Sequence, residues 1–152
     1  MNNNYSKLFD LSNRTALITG GVGILGLEFA KGLASYNCNL ILIDLDEEKL
    51  AIAREDILRK FNIHCSIYKC NVSDEDSVKK IASQIYKKNI NIDILVNNAA
   101  SKGTDLKKFF EKVEDYSIQT WDEIINVNLT GMFIIAKIFG SKMAIDKKGS
   151  II

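Results

Sequence analysis

Three glycines in the stretch "TGGVGILG", Gly21, Gly23 and Gly26, satisfy G-x-G-x-x-G between an apolar run and a segment of helical length. The early glycines allow a tight turn and let backbone amides approach a diphosphate, while Gly26 lets helix and strand pack closely. The helix that follows offers unpaired N–H groups and a partial positive charge to the same anion. Asp44 stands eighteen residues after Gly26, at the end of the next apolar run. That is near the interval of about 20 residues expected of an acid that hydrogen-bonds an adenosine ribose. A carboxylate there accepts from both ribose hydroxyls and repels a 2′-phosphate. Leu45 and Asp46 follow, with no Arg or Lys in the turn or just after Asp44 to offset the repulsion, so NAD is expected over NADP. The alternative reading of Asp44 is a surface aspartate at a strand end.

Such residues need elements to position them, and the chain supplies these in a regular order. "TALIT" (15–19) reads as a strand, and residues 24–36 place Leu27, Ala30, Leu33 and Ala34 on one helical face. "NLILID" (39–44) is a continuous apolar run, the pattern of a strand covered on both sides. Leu50, Ala53, Ile57, Leu58 and Phe61 recur at helical spacing in the charged segment after it, and "IHCSIYKC" (63–70) reads as a third strand. Ser73 with Asp76 resembles a capping box ahead of a stripe of Val78, Ile81, Ala82 and Ile85. "IDILVNN" (92–98) gives a fourth strand, Thr120 and Glu123 make a second capping box for a long helix through about Met143, and "GSII" opens a fifth strand expected to be buried. Strand and helix alternating in this way predict an α/β fold, a Rossmann-like doubly wound parallel sheet that is incomplete where the chain ends. Residues 1–12 read as a polar lead-in and 13–152 as the nucleotide-binding domain.

Composition agrees with a globular domain. Of 152 residues, 47% are apolar and 26% charged, and the net charge is +1, so total charge points to no nucleic-acid or membrane surface. Cys38, Cys65 and Cys70 are odd in number without C-x-x-C spacing, which predicts small buried thiols and a cytoplasmic setting. The start lacks the pattern of a secretion signal, and no apolar run approaches the roughly 20 residues of a membrane span. His64, the only histidine, has no cysteine or carboxylate cluster around it in a ligand pattern, so no metal is expected. Trp121 reads as a packing anchor, and Phe109 and Phe110 in the connection 106–117 as a cover for the rim of the site.

From about Leu8 onward the chain resembles the short-chain dehydrogenase/reductase family. "TGGVGILG", Asp44, "DILVNNAA" (93–100) and "WDEIINVNLTG" (121–131) carry the resemblance. It implies that Gly20, Gly21, Gly23, Ile24, Leu25, Gly26, Asp44 and Leu45 contact the cofactor. It also implies that Asn98, Ala99 and Ala100 border the cofactor and that Asn128 is catalytic. Asn71-Val72 stands where the family often has Asp-Val beside the adenine, and the Asn71 amide oxygen is expected to accept from the adenine amino group. Ile24 departs from the T-G-x-x-x-G-x-G of the single-domain branch. Thr19, Gly20, Gly23 and Gly26 instead fit the T-G-x-x-G-x-x-G of the extended branch of sugar-nucleotide epimerases and dehydratases.

Read without the resemblance, Asn126, Asn128, Thr130 and Gly131 interrupt an otherwise apolar helix, and Gly131 alone costs about 1 kcal/mol relative to alanine. Either the asparagines pin the helix to the sheet, or one of them serves a site. The helix is apolar on more than one face, so a homo-oligomer through residues 120–143 is expected, as in relatives. The family's chemistry needs a serine and a tyrosine four residues before a lysine. Four residues after Tyr5, Tyr36, Tyr68, Tyr86 and Tyr116 come Phe9, Leu40, Val72, Ile90 and Thr120, so the chain holds no Y-x-x-x-K. The expectation is therefore the cofactor-binding part of a longer NAD-dependent oxidoreductase acting on a small-molecule secondary alcohol or ketone, with sugars and polyols among the candidates. The part alone is expected to be inactive. The alternatives are an extended-branch sugar-nucleotide epimerase or dehydratase and a non-catalytic NAD-binding module.

Overall fold

The computed structural model describes residues 8–152. β1 (Thr15–Thr19) and β2 (Asn39–Asp44) are apolar between their polar end residues because both of their faces are covered. Ala16, Ile18, Leu40 and Leu42 point into one core with Ala30 and Ala34 of α1 (Ile24–Ser35) and Leu50, Ala53 and Ile57 of α2 (Glu47–Lys60). Leu17, Ile41 and Ile43 point the other way. They meet Val78, Ile81, Ala82 and Ile85 of α3 (Glu75–Lys87) and Ile135 and Phe139 of a later helix. The stripe on α3 is the one its spacing predicts.

β3 (Cys65–Lys69), β4 (Ile94–Val96) and β5 (Ser150–Ile151) complete a five-stranded parallel sheet of order β3-β2-β1-β4-β5. The chain winds outward from β1 to β3 and then returns to the other side of β1, which opens a crevice beyond the carboxyl ends of β1, β2 and β4. That is where doubly wound sheets bind ligands. The predicted α/β class and Rossmann-like winding are thus present.

Several boundaries differ from expectation for local reasons. β4 is shorter than 92–98. The cap of α3 is Asp74, which accepts from the amides of Asp76 and Ser77, because Ser73 is held by Asn71. The long helix begins two residues before Thr120. Ser117 caps α5 (Ile118–Ile125), Thr120 turns inward and is buried, and Glu123 accepts instead from Thr104. Trp121 consequently lies on the outer face, 55% exposed, and is no packing anchor among the described residues. β5 is an edge strand with exposed side chains, contrary to the buried strand predicted, because only β4 pairs with it.

A π-helical turn, Asn126–Gly131, joins α5 to the final helix, Met132–Asp146. A short helical turn, α4 (Leu106–Phe109), lies in the connection ahead of them, so the final helix is α6. The continuous helical stretch Ile118–Asp146 has 29 residues and is long and apolar enough to cross a membrane by length and composition. This corrects the expectation that no such run exists. Within it, Ile134, Ile135, Phe139 and Met143 are buried against the sheet. A helix that covers a sheet and leaves a second apolar face open passes the same test.

Residues 8–12 of the proposed lead-in are tied to the domain. The Leu11 amide donates to Tyr36 O at 2.8 Å, and Asp10 accepts from Asn37 at 3.0 Å. Residues 1–7 lie outside the described part. Cys38, Cys65 and Cys70 are buried and unpaired. Burial pushes the thiols of Cys38 and Cys65 up to about 11 and raises that of Cys70, which keeps all three protonated at neutral pH.

Candidate functional site

The crevice has a volume of about 610 Å3, within the range of roughly 300–1,000 Å3 usual for small-molecule and cofactor sites. One wall is the turn after β1. Gly20 has φ +61°, a conformation that favours glycine, and an added Cβ would sit 2.9 Å from Ala99 Cα. Gly26, in the first turn of α1, lies so close to that turn that a Cβ would approach Gly20 O to 2.1 Å. Gly20, not Gly21 or Gly23, therefore provides the left-handed corner, and Gly26 the close packing of helix on strand.

The amides of this wall divide into two sets. Gly21 donates to Ile43 O at 3.0 Å and Gly23 to Gly20 O at 3.1 Å, so these early amides brace the turn. Gly23 caps α1 without a side-chain hydrogen bond. The first-turn amides at Ile24 and Leu25, both of which line the crevice, are left as the donor set a diphosphate needs. Gly21 and Gly26 stand behind the wall and do not line it.

Thr19 and Asn98 sew the second wall to the first. The Thr19 hydroxyl accepts from the amides of Asn98 and Ala99 at 3.1 Å each, and Asn98 Nδ2 donates to Thr19 O and Gly20 O at 3.0 Å each. Both Nδ2 hydrogens are thereby engaged, so Asn98 acts by fixing the turn, while Ala99 and Ala100 line the crevice beside it.

At the far end of the crevice Asp44 accepts at Oδ1 from the amides of Leu45 (2.8 Å) and Asp46 (3.4 Å), and at Oδ2 from Val22 (3.2 Å). An ionised carboxylate offers about four acceptor positions, so these bonds orient the group and leave room for a ribose hydroxyl. Leu45, Asn71 and Val72 line this end. The role expected of the Asn71 oxygen does not fit. It already accepts from Ser73 N at 3.1 Å and Ser73 Oγ at 2.7 Å, which fills both lone pairs of an amide oxygen.

Asn128 does not line the crevice; its neighbour Val127 does. Its Oδ1 accepts from Ser101 N at 2.7 Å and its Nδ2 donates to Ser101 O at 3.0 Å, so the whole amide clasps the loop after β4. The interruption noted in the sequence is therefore a π turn, a feature frequent at functional sites. It pins the helix to the loop after β4. At its other end Gly131 packs on Val72, with an ideal Cβ only 2.8 Å from Val72 Cγ2.

Sequence reasoning missed Ser101, Lys102 and Lys49, all crevice residues. Ser101 and Lys102 directly follow "NNAA", and that adjacency was the available signal. Lys102 lies 5.9 Å from the ring centroids of both Phe109 and Phe110. Those rings meet edge to face at 5.0 Å and hold the lysine, but do not themselves line the crevice. Lys49, five residues beyond Asp44, brings a cation to this end of the crevice. One turn into α2, it lines the ribose end and pairs with Asp46 at 2.9 Å.

The sequence profile of the family described as short chain dehydrogenase matches residues 14–152. An oxidoreductase of Thermotoga maritima is 31% identical over 142 residues, 93% of this chain and 52% of that protein. A 3-oxoacyl-[acyl-carrier-protein] reductase of Aquifex aeolicus is 31% identical over 93% of this chain and 55% of its own length. The chain thus spans about half the length of these curated relatives. Among solved structures, an NAD+-bound xylitol dehydrogenase superposes with a TM-score of 0.85 at 28% identity, covering 93% of this chain and 52% of that one. A metagenomic short-chain oxidoreductase in complex with NADP gives 0.83 at 26%, covering 93% and 61%. A profile match from the first strand to the last residue, on a sheet and crevice of the same form, places this chain in the short chain dehydrogenase family of oxidoreductases.

Proposed function

We propose that the protein carrying this chain is an NAD-dependent oxidoreductase that interconverts a secondary alcohol and a ketone, with a sugar or polyol as the favoured substrate class. The observation that carries the choice of NAD is Asp44, a carboxylate oriented by three amides at the ribose end of the crevice. A 2′-hydroxyl can donate to it, and a 2′-phosphate meets its charge. NAD+ in the xylitol dehydrogenase that superposes on this chain supports the reading, and the polyol class rests on that same likeness.

The residues fit a dinucleotide on structural grounds. Two glycines stand where a Cβ would collide with the turn or with Ala99, and an uncapped helix start opens on the crevice. When bound, the nicotinamide ring supplies the hydride chemistry. The chain's own share is to hold the diphosphate on the first-turn amides of α1, orient the ribose through Asp44, and fix the loop at Ser101 through Asn128. Proton transfer to or from the substrate oxygen needs a tyrosine and lysine pair that these 152 residues do not contain in Y-x-x-x-K form. The chain by itself is accordingly proposed to bind without turnover.

Fluorescence titration tests this reading. NADH binds the chain more tightly than NADPH, and Asp44→Ala combined with Leu45→Arg reverses the order. Equal affinities for the two dinucleotides, unmoved by the substitutions, contradict the assignment.

We also infer that a second copy covers the outer face of α5 and α6. Ile118, Trp121, Leu129 and Phe133 are exposed there, an apolar stripe beside the π turn. Light scattering of the intact protein at micromolar concentration reads at least a dimer; a monomer rejects the inference.

A further inference from the structure

The ribose end of the crevice carries three charged side chains, Asp44, Asp46 and Lys49. Asp46 does two jobs at once. Its Oδ1 accepts from the Lys49 amide at 3.0 Å and caps α2, and its Oδ2 meets the Lys49 ammonium at 2.9 Å. The Lys49 amide and then its ammonium hold the Asp46 carboxyl below its usual range, and the hydrogen bond to Asp46 lifts the ammonium above its own. Lys49 is 67% exposed and Asp46 39%, so the pair is flexible and weak, of the kind a stronger anion can displace. The 2′-phosphate of NADP is such an anion. It carries close to two negative charges, and a lysine serves phosphate as a point charge.

We propose that Asp46 is a second determinant of cofactor choice and acts through Lys49: it occupies the cation that, among the described residues, lines the ribose end, and so withholds it from a 2′-phosphate. This rests on the reading of the crevice as a dinucleotide site. Asp44 repels the phosphate directly, while Asp46 adds its own charge and also neutralises the lysine that would offset both. The chain therefore discriminates against NADP by an incomplete factor that Asp46 sets.

The test is a double-mutant cycle read as the ratio of NADPH to NADH dissociation constants, by fluorescence titration of the purified chain at low salt. Asn caps a helix as well as Asp, so Asp46→Asn removes the charge and keeps the fold; Asp46→Ser, also a cap, serves as the second variant, and circular dichroism checks both. Asp46→Asn lowers the ratio by about tenfold, the value of a hydrogen bond to a charged group. Most of the drop is lost when Asp46→Asn is made in the Lys49→Met background, where only the aspartate's own charge is removed, and it shrinks as salt is raised. Binding of NADH with a ratio that Asp46→Asn leaves unmoved, or lowers equally without Lys49, overturns this inference and leaves the NAD reading standing. Failure of the unaltered chain to bind either dinucleotide overturns both.

Discussion

Two glycine-to-alanine substitutions in α1 should move stability in opposite directions. At Gly26 an ideal Cβ lies 2.1 Å from Gly20 O, 2.8 Å from Asn98 Nδ2 and 3.0 Å from Gly20 C. The first contact is with backbone, so no side-chain rotation relieves it, and α1 must retreat by roughly 1 Å. Overpacking of this kind costs about 1–3 kcal/mol. The retreat also strains the bonds from Asn98 Nδ2 to Thr19 O and Gly20 O, and a buried polar group left unpaired costs about 1–3 kcal/mol more. Helix propensity returns about 1 kcal/mol, so the net loss is about 1–5 kcal/mol. Gly32, six residues along the same helix, has nothing within 4 Å of its ideal Cβ. There only propensity acts, and Gly32→Ala should gain about 1 kcal/mol. Urea unfolding followed by circular dichroism reads both. NADH titration adds a second readout, because displaced first-turn amides lose the diphosphate, and Gly26→Ala should weaken binding by at least about tenfold, the equivalent of 1.4 kcal/mol. If Gly26→Ala unfolds no earlier than Gly32→Ala and binds NADH equally well, the close approach is not what shapes this turn.

Other perturbations reach the frame around the site. Asp93 accepts from the Thr15 amide and bridges Arg14 at 2.8 Å and Lys148 at 2.7 Å, fastening the starts of β1, β4 and β5. Burial pushes its carboxyl up, but the hydrogen bonds from Lys148, Arg14 and the Thr15 amide outweigh it and hold the group below its usual range. A depressed folded-state pKa gives stability that is present above the unfolded value and lost as pH falls through the folded one. Asp93→Asn should therefore cost about 1–2 kcal/mol at pH 7, because both cations are half-exposed, and the gap should close below about pH 4; a gap independent of pH contradicts this. Asn128→Ala removes both bonds to Ser101 and should cost about 1–2 kcal/mol. Amide hydrogen exchange at Ser101–Gly103 should speed up while that of β1 and β2 holds, and unchanged protection of the loop contradicts the clasp.

Much of the frame was readable in advance because it rests on periodicity. β2 is a continuous apolar run since helices cover both faces, and α3 shows its buried stripe at plain helical spacing. What escaped was fixed by contacts between distant segments. Ser73 looks like a cap until Asn71 takes its amide and hydroxyl, and Thr120 looks like one until Ser117 caps first. In the site, the spacing of Gly26 and Asp44 announced the two ends of the crevice. The division of labour among the turn's amides depended on where Ile43 O and Asp44 Oδ2 fall across the sheet. Asn128 stood out as a poor helix residue, but its partner lies 27 positions away. Lys49 could have been placed from its position three residues beyond a capping aspartate, which sets it on the first turn of α2 facing Asp46.

The central claim is that the first turn of α1 grips a diphosphate while Asp44 receives the attached ribose. A crystal of the chain grown with saturating NAD+ tests it most directly. The account predicts phosphate oxygens within hydrogen-bond reach of the Ile24 and Leu25 amides, and a ribose hydroxyl on the Asp44 carboxylate. An empty crevice, or a dinucleotide seated away from Asp44, would contradict it.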